Sequence, residues 1–326
     1  AQQPMVGTKL ELRLNDPVDS MVARKLSQIL RADTPGRVLR QDKLFGHVAL
    51  PVIDETVTSV GAALEELAGR ISETWHGEAP APVRLLPDVL APESLPDGEE
   101  MPDALPLGLL QDTMEPISMD PETLDPHLLV LGDSGCGKTT VLRGIIESLV
   151  ERHTSEELVV AVYDVRRGAV GACPEDYLGG HATSPATGVG LSNAIASELS
   201  KRAEALAAGQ DVVGPRIVLV VDDYDILSSG GTAILGPIIP YLPSGRDMRL
   251  GIVLSRPVAG SSRAMYDPAI QALRDTGGTC LLMDGDRSEG NVFGMRPEHL
   301  RPGRGWWIRR GRRPRLCQIG AFIDHD

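Results

Sequence analysis

The chain has 326 residues, a formal net charge of −13 and only 3% aromatic residues. This length suits one large α/β domain with additional material, and the hydrophobic fraction of 42% can supply an aliphatic core. The negative charge argues against a broad nucleic-acid-binding surface, because such surfaces are basic. The four cysteines form no C-x-x-C pair, which argues against a zinc site and suits a reducing cytosol. No apolar stretch of membrane-spanning length and no signal-peptide pattern occurs, which predicts a soluble segment.

Residues 1–76 predict a small unit that precedes the main domain. Alternating polar and apolar residues predict a strand at residues 8–14. The patterns that follow predict a helix at residues 19–30 and a longer amphipathic helix at residues 56–75.

Residues 77–107 differ in composition, because seven prolines fall there among acidic residues. This composition predicts an extended linker that contains little helix. We expect the linker to lie against a surface, because several of its apolar side chains need burial. These side chains are Val83, Leu85, Leu86, Val89 and Leu90.

From residue 108 onward, short apolar runs alternate with helical patterns, which predicts a mainly parallel central sheet covered by helices. The predicted strands are residues 128–131, 158–163, 217–221, 250–254 and 280–283. The predicted helices are residues 139–152, 192–208 and 232–241. Residues 306–308 and 315–319 predict a closing hairpin around Gly311.

Residues 132–139 have the sequence Gly-Asp-Ser-Gly-Cys-Gly-Lys-Thr, a complete phosphate-binding loop between a predicted strand and a predicted helix. Glycines let backbone N–H groups surround phosphate oxygens, and the helix N-terminus adds partial positive charge. We expect Lys138 to reach the β- and γ-phosphates of ATP and Thr139 to hold Mg²⁺. The residues expected to contact the nucleotide here are Gly132, Asp133, Ser134, Gly135, Cys136, Gly137, Lys138, Thr139 and Thr140.

Two carboxylates follow the apolar run at residues 217–221. Asp222 is expected to contact Mg²⁺, because ligands of open α/β sheets lie at the carboxyl ends of strands. Asp223 stands where many related ATPases have a glutamate that orients the attacking water, and its side chain is one methylene shorter. Ser255 and Arg256, at the end of another run, are either sensors of the γ-phosphate or a simple strand terminus.

Two other charged segments have open interpretations. Residues 164–168, Asp-Val-Arg-Arg-Gly, line the site or an intersubunit face, or form a solvated turn. A basic cluster near the end of the chain reaches a partner or a neighbour's nucleotide, or forms a solvated hairpin rim. The cluster consists of Arg301, Arg304, Arg309, Arg310, Arg312, Arg313 and Arg315.

The sequence also contains an internal echo. Residues 7–12 resemble residues 278–283, which lie 271 positions later, and residues 34–37 resemble residues 301–304, which lie 267 positions later. Two matches at nearly one spacing indicate either a repeat of about one domain in length or a coincidence of common turn residues.

The whole chain resembles the C-terminal part of the EccC family, the FtsK/SpoIIIE-type ATPases of type VII (ESX) secretion systems. The phosphate loop and the paired aspartates are general to ATPases. The combination of Asp-x-Arg-Arg at residues 164–167, Gly-Asp-Arg at residues 285–287 and Pro-Gly-Arg at residues 302–304 is more specific. The other matching segments are residues 125–127, 178–183 and 255–257.

The resemblance implies a RecA/FtsK-like fold, with ATP and Mg²⁺ as cofactors and protein rather than DNA as cargo. It implies recruitment of WXG100/Esx-type substrates through a C-terminal signal, and contacts with other ATPase modules of the same chain and other secretion-machine subunits. A hexamer at the cytoplasmic face of the inner membrane is implied for the full-length, membrane-anchored chain. Relatives that hydrolyse ATP in rings have an arginine shortly after the strand equivalent to residues 280–283, and Arg287 stands several residues early.

The sequence therefore predicts an ATP-binding, weakly hydrolysing motor module of a type VII secretion ATPase. Residues 1–76 are expected to be the tail of a preceding module, residues 77–107 a linker and residues 108–326 the ATPase domain. Two alternatives stay open. One is a nearly inactive module that docks substrate tails and is braced by nucleotide, and the other is an FtsK-like DNA translocase.

Overall fold

The computed structural model describes residues 7–49, 60–77, 84–121 and 126–322. The chain divides into two compact units, residues 1–82 and residues 83–326, and each is described by itself. Across the described ranges, no helix is long and apolar enough to span a bilayer.

Where its residues are described, the first unit contains short strands and two α-helices. They are β1 (Leu10–Glu11), α1 (Arg24–Ser27), β2 (Arg37–Arg40), β3 (Phe45–His47) and α2 (Val60–Thr74). The predicted strand at residues 8–14 and helix at residues 19–30 are therefore much shorter than expected. Pro17 begins a separate 3-10 turn, and the Ser20 hydroxyl accepts from the backbone of Ala23, so the helix cannot start before that point. The start of the helix predicted at residues 56–75 lies outside the described residues.

In its described residues, the second unit contains ten strands and five α-helices. The strands are β4 (Leu105–Leu110), β5 (Pro116–Met119), β6 (His127–Leu131), β7 (Leu158–Tyr163), β8 (Leu178–Ala182), β9 (Arg216–Val221), β10 (Leu250–Arg256), β11 (Thr279–Leu282), β12 (Arg304–Ile308) and β13 (Arg315–Ile319). The helices are α3 (Lys138–Arg152), α4 (Pro185–Ala207), α5 (Tyr224–Leu227), α6 (Ser261–Ala264) and α7 (Pro268–Asp275).

All ten strands form one sheet in the order β5-β4-β13-β12-β11-β6-β10-β9-β7-β8. The six strands from β11 to β8 are parallel, and β12, β13, β4 and β5 extend the sheet with antiparallel pairing. Apolar residues of α3 pack on one face, and those of α4 and α7 pack on the other. This arrangement confirms the predicted fold class, the five predicted strands and the closing hairpin.

Two predicted elements differ in the second unit. The helix expected at residues 232–241 is absent, and a 3-10 helix runs at Ile239–Ser244 instead. Pro237, Pro240 and Pro243 lack the backbone N–H groups that an α-helix requires. The helix expected at residues 192–208 begins earlier, at Pro185, because Ser184 and Thr187 form a capping box there.

Residues 84–95 of the predicted linker belong to the second unit, and we call them the strap. Leu86 and Leu90 are buried as expected, but Leu85 and Val89 are 75% and 71% exposed, and Val83 lies outside the described residues. Leu85 and Leu86 are chain neighbours, as are Val89 and Leu90, and only one residue of each pair is buried.

The two copies of the internal echo have the same local structure. In the first unit β1, β2 and β3 pair antiparallel in that order, as β11, β12 and β13 do in the second unit. The register also agrees, because Leu10 pairs with Arg40 and the matching Leu281 pairs with Trp307. Gly36 and the matching Gly303 both have left-handed backbone, at φ 83° and 73°.

Candidate functional site

The phosphate loop connects the carboxyl end of β6 to the start of α3. Gly135 and Gly137 have φ of 80° and 106°, a region in which L side chains are strained, so the loop needs glycine at these positions. Gly137 is the N-cap of α3 and has no side chain that could cap the helix. The first N–H groups of α3, at Lys138–Thr140, therefore remain free of intrahelical acceptors and can bind an anion.

The rest of the loop is fixed by its neighbours. The N–H groups of Gly132 and Asp133 donate to the carbonyls of Arg256 and Asp284, at 3.2 and 2.9 Å. Lys138 is 8% exposed, and its Nζ donates to the Asp133 carbonyl at 3.2 Å. The lysine thus folds back over the loop, where a phosphate oxygen would replace the carbonyl as its partner.

Cys136 stabilises the phosphate loop through its buried side chain and its backbone carbonyl. Its side chain is buried against Met283, and its carbonyl accepts from the N–H of Gly303 at 2.8 Å. Burial raises the pKa of the Cys136 thiol, which disfavours the reactive thiolate. The side chain therefore fills space in the loop.

Asp222 joins three neighbouring elements at the carboxyl edge of the sheet. It follows β9, and its two carboxylate oxygens accept from Thr139 Oγ1 at 2.7 Å and from Ser255 Oγ at 2.5 Å. Burial raises the pKa of the Asp222 carboxyl, and the hydrogen bonds from Ser255 and Thr139 oppose that rise. A cation beside Asp222 would favour the charged form of its carboxyl group.

This donor set fits Mg²⁺. The Thr139 hydroxyl and the Asp222 carboxylate are hard oxygen ligands, and Mg²⁺ usually takes one or two such groups together with phosphates and water. Within the described ranges, no cluster of three or more His, Cys, Asp or Glu side chains forms a complete cage for a metal. A nucleotide's phosphates would therefore have to supply the remaining ligands.

Asp223 adopts an unusual backbone conformation. Its φ of 47° is left-handed, and its N–H donates to Ser255 Oγ and to Asp222 Oδ1 at 3.0 and 3.1 Å. Its own carboxylate lies 3.3 Å from Nε of Arg166. The turn at Asp223 therefore directs the carboxylate away from Asp222 and toward the loop after β7.

That loop belongs to the site. Asp164 is almost fully buried and accepts from the N–H groups of Arg166 and Ala169, at 3.0 and 2.7 Å. The loop is thus built around a buried carboxylate, and Arg166 projects from it toward Asp223. The interpretation of this segment as lining the site is the one that the geometry favours.

Ser255 and Arg256, the two candidate γ-phosphate sensors, differ in the groups that they contact. Ser255 is fully buried and contacts Asp222 and Asp223. Arg256 donates instead to the carbonyls of Pro257 and Ala259, in its own loop. Burial lowers the pKa of Arg256, an effect that nearby acidic groups oppose. Arg256 therefore shapes the loop after β10, while Ser255 lies in the centre of the site.

Four arginines of the basic cluster hold neighbouring elements. Arg301 pairs with Asp88, Arg304 donates to the Pro87 carbonyl at 3.0 Å, Arg309 donates to the Ser118 carbonyl at 2.6 Å, and Arg315 pairs with Asp112 at 2.6 Å. Arg310, Arg312 and Arg313 are exposed on the β12–β13 turn. Arg287 is exposed in a 3-10 turn after β11. Sequence reasoning missed the first four roles, because each depends on a partner far away in the chain.

Known proteins match this chain over almost its whole length. A sequence model of the FtsK/SpoIIIE family matches residues 97–211. The ESX secretion system protein EccC of Thermomonospora curvata is 34% identical over 325 residues, which cover 96% of this chain and 24% of that protein. The ESX-4 secretion system protein EccC4 of Mycobacterium tuberculosis is 34% identical over 324 residues, which cover 96% of this chain and 25% of that protein. The chain thus spans about a quarter of the length of these relatives.

A solved structure also matches this chain over almost its whole length. ATPases 2 and 3 of Thermomonospora curvata EccC, in complex with a signal sequence peptide, have a TM-score of 0.76 and 32% identity to this chain. That match covers 99% of this chain and 60% of the solved one. The chain therefore carries a domain of the FtsK/SpoIIIE family and is similar over almost its whole length to the EccC proteins of ESX secretion systems.

Proposed function

We propose that the second unit binds ATP with Mg²⁺ and hydrolyses it slowly, as one motor module of a type VII secretion ATPase. The observation that carries this proposal is the contact of Thr139, at the end of the phosphate loop, with Asp222 at 2.7 Å. A free helix N-terminus, a lysine, a hydroxyl and a carboxylate then meet at one edge of the sheet, as phosphoryl transfer requires.

The residues divide the chemistry between them. The N–H groups at the start of α3 and the Lys138 ammonium stabilise negative charge on the phosphates. Thr139 and Asp222 hold Mg²⁺, which supplies charge neutralisation when bound. Asp223 orients the attacking water, once its carboxylate has left Arg166. Ser255 holds Asp222 and Asp223 in place through its hydroxyl.

Two features support slow turnover. Asp223 is a short carboxylate and is already paired with Arg166. In addition, the exposed Arg287 is the arginine best placed by sequence to complete a neighbouring site, and it stands early for that role. An arginine finger contributes about 10³ to 10⁵ in rate, so an imperfect one leaves nucleotide bound and largely intact.

The first unit is proposed to be the end of a preceding ATPase module. Its strands β1, β2 and β3 pair in the same order and register as β11, β12 and β13, which are the last three strands of the second unit. The match to a solved structure that contains ATPases 2 and 3 also supports this assignment. By the same argument residues 77–107 connect two modules, although β4 begins within them.

A cavity in the second unit favours a role in binding cargo peptides. It has a volume of about 870 Å³, and its walls include Met265, Phe293 and Ile308 together with Arg274, Arg310 and Arg312. Apolar walls with a basic rim suit an amphipathic peptide, and a similar protein has been solved with a signal sequence peptide. We propose that the substrate's C-terminal signal, of the WXG100/Esx type, binds here, at the cytoplasmic face of the membrane.

Steady-state ATP hydrolysis, measured with and without a substrate tail peptide, tests this function. A slow rate that the peptide raises, and that Lys138→Ala abolishes, is expected for a motor module. Retained ATP without turnover under either condition would favour the nucleotide-braced docking module. Stimulation by duplex DNA, with salt-dependent binding, would favour a DNA translocase, which the net charge of −13 opposes.

A further inference from the structure

A second cavity lies between residues 92–100 and the last two turns of α3. Its volume is about 690 Å³. Two contacts hold the segments together, since the N–H of Gly98 donates to Glu151 at 3.4 Å and Nε of Arg152 donates to the Met101 carbonyl at 3.3 Å. We call this cavity the acidic groove. Its walls include Leu95, Asp97, Glu100, Glu147, Arg152 and Phe322.

The charge of the acidic groove is strongly negative. Among the described residues, five carboxylates and one guanidinium line it. The carboxylates belong to the exposed side chains of Glu93, Asp97, Glu100, Glu147 and Glu151. The C-terminus of α3 lies at the same place and adds partial negative charge. The groove therefore favours a cationic ligand and disfavours a phosphate group or a nucleic acid.

The walls between the carboxylates are apolar. Leu95 and Phe322 are each 9% exposed and pack against each other, and three prolines, Pro92, Pro96 and Pro106, complete these walls. Lysine and arginine side chains bury their aliphatic stems on such surfaces while their charged ends reach carboxylates. The groove therefore suits these side chains better than it suits a compact, hydrated ion.

Arg152 provides a donor in this wall. Its side chain is only 4% exposed, and Nη1 donates to the Ser148 carbonyl at 3.0 Å and to Glu151 at 2.7 Å. Nη2 is buried as well, and it has no hydrogen-bond partner among the described residues. Buried polar groups are normally paired, because an unpaired buried donor is costly. A ligand with an oxygen acceptor can supply the partner that Nη2 lacks.

Two requirements thus select the ligand, a positive charge for the carboxylates and an oxygen acceptor for Arg152. A polyamine or a metal ion has no acceptor, and in the described ranges no cluster of three or more His, Cys, Asp or Glu side chains could hold a metal. A peptide with lysine or arginine side chains meets both requirements through its backbone carbonyls. In an extended segment these carbonyls are available, whereas in a helix they are already paired.

We propose that the acidic groove binds an extended, basic segment of a partner protein. The exposed β12–β13 turn of a second copy is a less suitable occupant, because Arg310 and Arg312 there line the larger cavity proposed for cargo. The groove contains none of the residues proposed to bind nucleotide, so the proposal does not rest on the function proposed above.

Calorimetric titration of three small ligands into the wild-type chain tests the chemistry of the groove. They are the capped peptide Ala-Lys-Ala-Arg-Ala-Lys-Ala, the same peptide with glutamine for each lysine and arginine, and spermidine, which is cationic but has no carbonyl. The basic peptide is expected to bind with a Kd below about 1 mM, and more weakly as salt rises from about 50 to about 300 mM. The glutamine peptide should not saturate, and spermidine should bind about tenfold more weakly than the basic peptide.

Variants of the groove locate the binding. Glu100→Gln and Glu147→Gln change exposed side chains, and each is expected to weaken the basic peptide about two- to fivefold. Glu204→Gln, at an exposed carboxylate of α4, is the matched control and should leave the affinity unchanged. Arg152→Lys keeps the charge but removes the Nη2 donor, so the basic peptide should bind about tenfold more weakly while spermidine affinity stays the same.

Four results would overturn the proposal. They are no saturable binding of the basic peptide to the wild-type chain, equal binding of the glutamine peptide or of spermidine, unchanged affinity in both glutamate variants, and an equal loss for peptide and spermidine in Arg152→Lys. Light scattering of the wild-type chain adds a fifth. Self-association that the basic peptide reverses would assign the groove to a second copy instead of a partner protein.

Discussion

Asp223 is the residue that we propose orients the attacking water, and its carboxylate pairs with Arg166 at 3.3 Å. Arg166 is 67% exposed at its side chain, and exposed ion pairs contribute about 0–1 kcal/mol. The pair is therefore strong enough to bias the carboxylate and weak enough to break during a catalytic cycle.

We predict that Arg166→Gln raises the ATP turnover rate by up to about fivefold, the rate equivalent of removing about 1 kcal/mol. The affinity for ATP should stay unchanged, because Arg166 contacts Asp223 rather than the phosphate loop. Arg167→Gln, an exposed neighbour in the same loop, is the matched control and should change neither quantity. A fall in turnover in Arg166→Gln would show instead that the arginine is needed to position Asp223.

Residue identity alone predicted only part of this site. Thr139, Asp222 and Ser255 could be predicted because each ends a parallel strand or begins the helix that follows one, and such ends meet at one edge. The pairing of Arg166 with Asp223 could not, because it depends on β7 lying next to β9 and on the left-handed turn at Asp223. The local sequence pattern around these residues predicts neither the neighbouring position of the two strands nor the left-handed turn.

At the scale of elements, β6 begins with a buried histidine. His127 is 1% exposed and its Nε2 lies 3.1 Å from the Leu242 carbonyl. Burial lowers the pKa of His127 below its ordinary value of 6.5. The unfolded chain therefore binds a proton at His127 below about pH 6.5 that the folded chain binds only at lower pH.

The contribution of His127 to the stability of the second unit should consequently be constant above about pH 6.5 and fall as the pH is lowered below it. Between pH 6.5 and 5.0, the free energy of unfolding of the wild-type unit is expected to fall more than that of His127→Gln, by up to about 2 kcal/mol. Denaturant unfolding followed by Trp306 and Trp307 fluorescence, with Trp75→Phe in both chains, measures this difference. His76→Gln, at an exposed position, should keep the wild-type pH dependence, and an equal dependence in His127→Gln would contradict the prediction.

Helix α3 is held against the end of the chain through a glycine. A Cβ at Gly144 would overlap the ring of Phe322, which itself packs with Leu90 and Leu95 of the strap. Gly144→Ala is therefore expected to lower the free energy of unfolding by about 1–3 kcal/mol, despite the better helix propensity of alanine.

Gly190 provides the matched comparison in α4. It is exposed, and a Cβ there would meet no atom within 4 Å. Gly190→Ala should raise the free energy of unfolding by about 0.5–1 kcal/mol. Guanidinium unfolding of both variants measures the contrast, and a Gly144→Ala chain as stable as the wild type would refute the packing argument.

Elements were predictable where one pattern dominated. The central strands are apolar on both faces, so composition alone identified them. β8 escaped prediction because Gly179 and Gly180 interrupt its apolar pattern, and β4 because Pro106 and Gly108 suggest a linker. Both strands form because a neighbouring strand provides backbone hydrogen-bond partners. The local sequence propensity of a segment contains no information about such a neighbour.

At the scale of the whole molecule, the same three-stranded antiparallel arrangement occurs twice in the chain. The β1–β2–β3 trio of the first unit repeats the register of β11–β12–β13, down to a left-handed glycine before the second strand. The sequence echo indicated this repeat, and the pairing in each unit makes coincidence of turn residues the weaker interpretation. The repeat supports the proposal that the first unit is the end of a preceding ATPase module.

The central claim is that the phosphate loop of the second unit binds ATP. Calorimetric titration of Mg·ATP into the wild-type chain and into Lys138→Ala tests it most directly, with Lys201→Ala, an exposed lysine of α4, as the control. We predict saturable binding to the wild type and to the control, and at least tenfold weaker binding to Lys138→Ala, because a charge-assisted hydrogen bond contributes about 1.5–3 kcal/mol. Absence of binding to the wild type, or equal affinity in Lys138→Ala, would contradict the account.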